Sequence, residues 1–99
     1  MQRESSFQRG LIREIEARYP GCIVIKNDPT YRRGFPDLLI LYGNRWATLE
    51  CKRSPTEHHQ PNQDYWVETL DEMSYSAFVY PENKEFIVKD LDQLFGECL

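Results

Sequence analysis

Gly34-Phe35-Pro36-Asp37, then Leu38-Leu39-Ile40-Leu41-Tyr42-Gly43-Asn44-Arg45-Trp46-Ala47-Thr48-Leu49, then Glu50-Cys51-Lys52 is the stretch on which the reading of this chain turns. Asp37 to Tyr42 is expected to form a strand, and its run Leu38-Leu39-Ile40-Leu41 predicts cover on both faces. Gly43-Asn44 makes a tight turn, and Arg45 to Arg53 returns as a second strand, so the two form a hairpin. Side chains alternate along a strand. Trp46, Thr48, Glu50 and Lys52 therefore share one face, while Ala47, Leu49 and Cys51 take the other. Glu50 and Lys52 then stand about 7 Å apart, two residue rises along the strand. A slip of one residue would send them to opposite faces.

Two carboxylates and an ammonium at this spacing suit metal-assisted hydrolysis of a phosphodiester. Asp37 and Glu50 are hard oxygen ligands for Mg²⁺ or Mn²⁺, which need few carboxylates when water and substrate phosphate complete the shell. The Cys51 backbone carbonyl adds a further oxygen. Lys52 is placed to orient or deprotonate the attacking water and to offset phosphate charge. An isolated Glu-x-Lys is an ordinary surface ion pair. The upstream Gly-x-Pro-Asp, with an apolar strand between, turns the reading toward chemistry.

Working outward, Phe7, Leu11, Ile12, Ile15 and Tyr19 recur at helical spacing over Glu4 to Tyr19, and Pro20-Gly21 ends that helix. Cys22 to Lys26 is a short β-branched strand, and Asn27 to Phe35 has loop chemistry. Ser54 to Gln60 is a polar loop. Pro61 occupies a first helical turn, and Asn62 to Met73 carries Tyr65, Trp66, Leu70 and Met73 toward a core. Ser76 to Tyr80 forms another strand, Glu85 to Val88 a short fifth, and Lys89 to Phe95 a closing helix. The order is α-β-β-β-α-β, a single α/β domain over residues 1–99.

Two helical residues join the expected site. Glu4, Gln8, Leu11 and Ile15 lie on one stripe, so a carboxylate falls on the line that otherwise points to the core. An acid in a first turn also simply complements the helix dipole. Gln63 shares a face with Val67 and Leu70, which turns its amide inward toward Lys52 or a substrate phosphate.

Composition excludes several classes. Ninety-nine residues with 40% hydrophobic content make one globular domain. No run reaches the roughly 18 apolar residues of a membrane span, and the polar start lacks the apolar core of a signal peptide. Cys22, Cys51 and Cys98 are scattered and odd in number, as expected of reduced thiols in an intracellular, cytoplasmic protein. Net charge is −4, but residues 1–53 hold ten Lys and Arg against six Asp and Glu, and the acidic excess lies in the remainder. A basic half of this kind can face a polyanion.

Gly34-Phe35-Pro36-Asp37, Glu50-Cys51-Lys52, Gln63 opening a helix and Glu4 near the first helix start together resemble the PD-(D/E)xK nuclease superfamily. Within it they resemble the small stand-alone VRR-NUC type, over about residues 4 to 80. The resemblance implies a restriction-endonuclease-like fold, a mixed central sheet flanked by helices, with one or two Mg²⁺ or Mn²⁺ ions serving catalysis. It also implies DNA as substrate, and for stand-alone members a homodimer acting on branched DNA such as four-way Holliday junctions. Cutting two strands needs two sites, which independently favours a C₂ dimer. The expectation is a metal-dependent endonuclease using Asp37, Glu50, Lys52, Glu4 and Gln63. The rivals are a non-catalytic nucleic-acid-binding module with a nuclease fold, and a repair or restriction-type nuclease acting on duplex ends or flaps.

Lys26, Arg32, Arg33, Arg45 and Arg53 surround the motif and are expected to contact phosphates, with Tyr31-Arg32-Arg33-Gly34 as a basic loop before Asp37. Lys26 is expected to face the cleft. Glu57-His58-His59 lacks zinc-ligand spacing and reads as a solvated loop. Trp46, Tyr65 and Trp66 could stack bases, although aromatics in small domains are usually core. No Gly-rich phosphate loop exists, so no nucleotide cofactor is expected.

Overall fold

The computed structural model describes residues 4–28 and 30–96, with side chains from residue 6 onward. The side-chain role expected of Glu4, and Cys98, lie outside the described residues. The elements are α1 (Glu4–Arg18), β1 (Ile23–Lys26), β2 (Leu38–Tyr42), β3 (Arg45–Cys51), α2 (Gln63–Met73), β4 (Ser76–Val79) and α3 (Lys84–Phe95). The four strands form one sheet in the order β1-β2-β3-β4. β1 and β2 pair antiparallel, as do β2 and β3, whereas β3 and β4 are parallel. A parallel pair needs a crossover, and α2 supplies it.

The β2–β3 hairpin turns at Gly43-Asn44, with Tyr42 paired to Arg45. Gly43 has φ +60° at the first central position, which costs least for glycine. The alternation expected of β3 is present. Ala47, Leu49 and Cys51 are fully buried beside Leu38, Ile40 and Tyr42, and α1 covers this face with Phe7, Leu11, Ile15 and Tyr19. α3 adds Ile87, Leu91 and Phe95. The rings of Tyr19, Tyr42 and Phe95 close the core, with centroids 5.1–5.7 Å apart and tilted or edge-on contacts. α2 packs on the opposite face, over β3 and β4, through Gln63, Val67 and Leu70.

Three local expectations are corrected. Glu85 to Val88 is not a strand; it is the first half of α3, which runs unbroken from Lys84 to Phe95. Ile87-Val88 is β-branched, but Ile87, Val88, Leu91 and Phe95 bury one helical face, and packing on the sheet outweighs local propensity. α2 starts at Gln63, not Asn62, because Asn62 adopts φ +74°, outside the right-handed helix; Pro61 stands before the helix. Tyr65 and Met73 do not reach a core: they are 60% and 69% exposed. They fall off the stripe defined by Gln63, Val67 and Leu70, whose spacing follows the 3.6-residue turn.

Candidate active site

The β2–β3 register pairs Leu38 with Leu49 and Leu39 with Thr48. Extended by one step, it sets Asp37 directly across from Glu50. Leu38 and Leu49 both point into the α1–α3 core, so Asp37 and Glu50 both point to the α2 face. Like charges directly opposite each other destabilise a hairpin. Glu50 is only 3% exposed, which makes that juxtaposition costly unless something compensates.

The compensation is a hydrogen-bond chain through buried polar groups. Gln63 Nε2 donates to Glu50 Oε2 at 2.9 Å, and Lys52 Nζ donates to Gln63 Oε1 at 2.7 Å. The Gln60 N–H also donates to Gln63 Oε1, at 2.8 Å. Gln63 is thus the bridge between Glu50 and Lys52, and it opens α2 with its amide turned inward. Lys52 Nζ also donates to the His58 carbonyl at 3.2 Å and lies 4.0 Å from Glu57 Oε2. Its ammonium is buried but surrounded by acceptors, the condition under which a buried charge is tolerated.

Asp37 Oδ2 accepts the Cys51 N–H at 2.8 Å. Burial pushes the Asp37 carboxyl above the usual carboxylate range. The Cys51 N–H, a hydrogen bond with Glu50 and the Lys52 charge oppose that rise, while the Glu57 charge adds to it. The N–H and C=O of one strand residue point to the same side. The Cys51 carbonyl accordingly faces the Asp37 side of β3, as the Lys52 N–H turns the other way, to Val79 O.

Asp37, Glu50 and Gln63 line a cleft of about 490 Å³ together with Arg33, Gly34, Phe35, Gln60 and Pro61. Gly34 sits at φ +82°, and a Cβ there would approach Asn62 and the Pro61 carbonyl to 2.8 Å. Glycine is therefore what lets the basic loop close against the α2 start. On the other flank Asn27 grips the motif: its Nδ2 donates to Pro36 O at 2.7 Å and its N–H to Asp37 O at 2.8 Å.

Among the described residues no three His, Cys, Asp or Glu side chains gather as a metal-holding group. Asp37 and Glu50 are nevertheless a fitting pair for Mg²⁺, which is held by one or two carboxylates with water and substrate oxygens. Their forced approach is a second sign of fit, since a cation between them would relieve it.

The basic residues separate into three groups. Arg33 lines the cleft, and Arg32 lies over the Trp66 ring, 5.6 Å from its centroid. Arg53 is on the rim of a neighbouring depression, with Nε 3.5 Å from Glu57 Oε1. Lys26 and Arg45 do not meet the cleft. Lys26 pairs with Leu38 and so shares its face, opposite to Asp37 and Glu50, which corrects the expected orientation. Arg45 pairs with Tyr42 beside the turn, five residues from Glu50, about 16 Å along the strand.

Sequence reasoning missed three residues of this neighbourhood. Asn27 and Gln60 act through main-chain contacts that leave no pattern in the sequence. Glu57 folds back to accept the Arg53 N–H at 2.5 Å, which closes its loop over Lys52. The adjacent histidines hold that loop in different ways. His58 offers its carbonyl, while His59 stacks on Phe78 with centroids 4.1 Å apart and bonds Asp64 through Nδ1 at 2.8 Å.

No family model and no curated protein matches the sequence. Among solved structures, one described as a VRR_NUC domain protein superposes with a TM-score of 0.69 at 17% identity. The match covers 95% of this chain and 91% of the other. At that identity the likeness speaks to the fold: the described residues form a small α/β domain, with a four-stranded mixed sheet and three helices, whose fold matches that of the VRR_NUC domain protein.

Proposed function

We propose that this chain is a divalent-metal-dependent nuclease of the PD-(D/E)xK kind that hydrolyses DNA phosphodiester bonds. The observation that carries the reading is the chain Glu50–Gln63–Lys52, with Asp37 set across from Glu50 at the wall of one cleft. The VRR_NUC-like fold supports the same class.

Asp37 and Glu50 would hold Mg²⁺ or Mn²⁺, with the Cys51 carbonyl facing the same side. When bound, such an ion supplies positive charge at the phosphate and lowers the pKa of water. Lys52 contributes a fixed ammonium beside the pair. Gln63 Oε1 and His58 O hold its position, so little reorganisation is needed when charge develops on the phosphate. Gln63 couples the ammonium to Glu50, and Arg33 on the cleft wall offers a phosphate contact. Branched DNA, with a four-way junction as the leading substrate, and a homodimer that presents two such sites complete the proposal.

The test incubates labelled four-way junction, flap, linear duplex and single strand with Mg²⁺, Mn²⁺ or EDTA. Metal-dependent cutting that falls by at least about 10²-fold in Lys52→Ala and in Asp37→Ala is expected. Binding without turnover in either metal would replace the enzyme by a DNA-binding module. Unimpaired cutting by Lys52→Ala would remove the mechanism.

A further inference from the structure

A second cavity, of about 410 Å³, adjoins the cleft and is lined by Asn27, Asp28, Tyr31, Arg32 and Phe35. Its size falls in the range of small-ligand sites. Phe35 belongs to both cavities, so the two share a wall. The Phe35 ring meets Trp66 edge-on at 5.2 Å, and Trp66 in turn meets Tyr65 at 5.3 Å. Arg32 lies over the same Trp66 ring. Tyr31 stands at the mouth with 82% of its surface exposed.

These groups are chemically selective. Aromatic rings and a flat guanidinium favour a planar π-system. Asp28 on the wall, its Oδ1 engaged by the Thr30 N–H and hydroxyl at 2.9 and 2.7 Å, repels a phosphate inside the cavity. Arg33, on the cleft side of the shared wall, attracts one outside it. We propose that the cavity between Tyr31, Arg32 and Phe35 takes an unpaired nucleobase of the strand whose phosphate lies in the Asp37–Glu50 cleft.

Stacking is the reason such a site would select for structure over sequence, because every base has a π-face. A base inside a regular duplex is not available to it. An unpaired base at a bulge, a single-stranded arm or a branch point is available, and these sources share the chemistry. The inference rests on the nuclease reading for the position of the cut phosphate, but not for the stacking itself.

The probe is 2-aminopurine, whose fluorescence is quenched by stacking, placed as an unpaired base in a duplex, within the paired duplex, or in a single strand. Titrations run in EDTA, so no turnover competes. Wild-type protein is expected to quench the unpaired probes further on binding, and Tyr31→Phe to do the same. Tyr31→Ala is expected to lose that quenching and to bind the bulged duplex about 10-fold more weakly, with under about 2-fold change on the fully paired duplex. Because Tyr31 is so exposed, its truncation leaves the core intact, which a matching thermal melt checks. Equal affinity of Tyr31→Ala and wild type for the bulged probe, or no added quenching by wild type, overturns the inference. Quenching without cutting in any metal would sink the nuclease reading and leave this one standing. Cutting whose preference for unpaired bases survives Tyr31→Ala would sink this one alone.

Discussion

The two faces of β3 are built from one strand but obey different rules. Toward α1 and α3, Ala47, Leu49 and Cys51 are fully buried among aliphatic and aromatic side chains. Toward α2, Thr48, Glu50 and Lys52 are nearly as buried, at 1–3% exposure, yet they are polar or charged. The first face can be satisfied by close packing alone. The second holds its polar groups through partners that must be placed in three dimensions, and the Thr48 hydroxyl, 2.8 Å from the Ser76 Oγ, follows the same rule as the Glu50–Gln63–Lys52 chain. One face provides stability; the other spends part of it on a preorganised charge arrangement.

Substitution should separate the two faces cleanly. Leu49→Ala removes a fully buried side chain from the packed face and is expected to cost about 2–5 kcal/mol. Urea denaturation would measure it, and a loss under about 1 kcal/mol would deny that this face carries the stability. Gln63→Ala strikes the other face. It strips Glu50 and Lys52 of their shared partner, and cutting is expected to fall by about 10–100-fold, with a smaller stability loss of about 1–3 kcal/mol. A mutant as active as wild type would reduce Gln63 to a helix-start residue.

The smallest effect lies at the outer edge of the packed face. Asp92 on α3 accepts from Arg18 Nε at 2.7 Å and from the Tyr19 hydroxyl at 2.6 Å. The Arg18 hydrogen bond holds its carboxyl down at about 2. A depressed carboxylate contributes stability above its unfolded pKa of about 3.9, and loses it as pH falls through its folded value. Asp92→Asn is therefore expected to cost less than about 1 kcal/mol near pH 7, the exposed pair being screened by solvent. The difference from wild type should shrink below about pH 4 and vanish only below about pH 2. Denaturation midpoints across that range would check the sign, and a difference that grows toward acid would refute it.

The hairpin was legible because its signals are local. The Leu38–Leu41 run, Gly43-Asn44 and the alternation through Lys52 each act within a few residues. The same locality misled at Ile87-Val88, where β-branched residues suggest a strand but the face they bury is decided by a sheet formed far away in sequence. Lys26 shows a related limit. Its place beside β2 could be anticipated, but its face depends on the register with Leu38. The pair His58-His59 has no zinc-ligand spacing, and nothing local announces that the loop carrying it folds over Lys52.

By itself the sequence determined which residues alternate along β3, and hence that Glu50 and Lys52 share a face, because strand geometry has a period of two wherever the strand is placed. It also determined that a turn brings the chain back, since Gly43-Asn44 can do little else between two apolar runs. The two-residue turn also sets Asp37 across from Glu50; only the tertiary structure decided that Gln63 joins Glu50 to Lys52 and that Lys26 stands away from the cleft. Those relations depend on pairing register and on where α2 docks. Both are settled by burial summed over the whole sheet, which no short stretch of residues encodes.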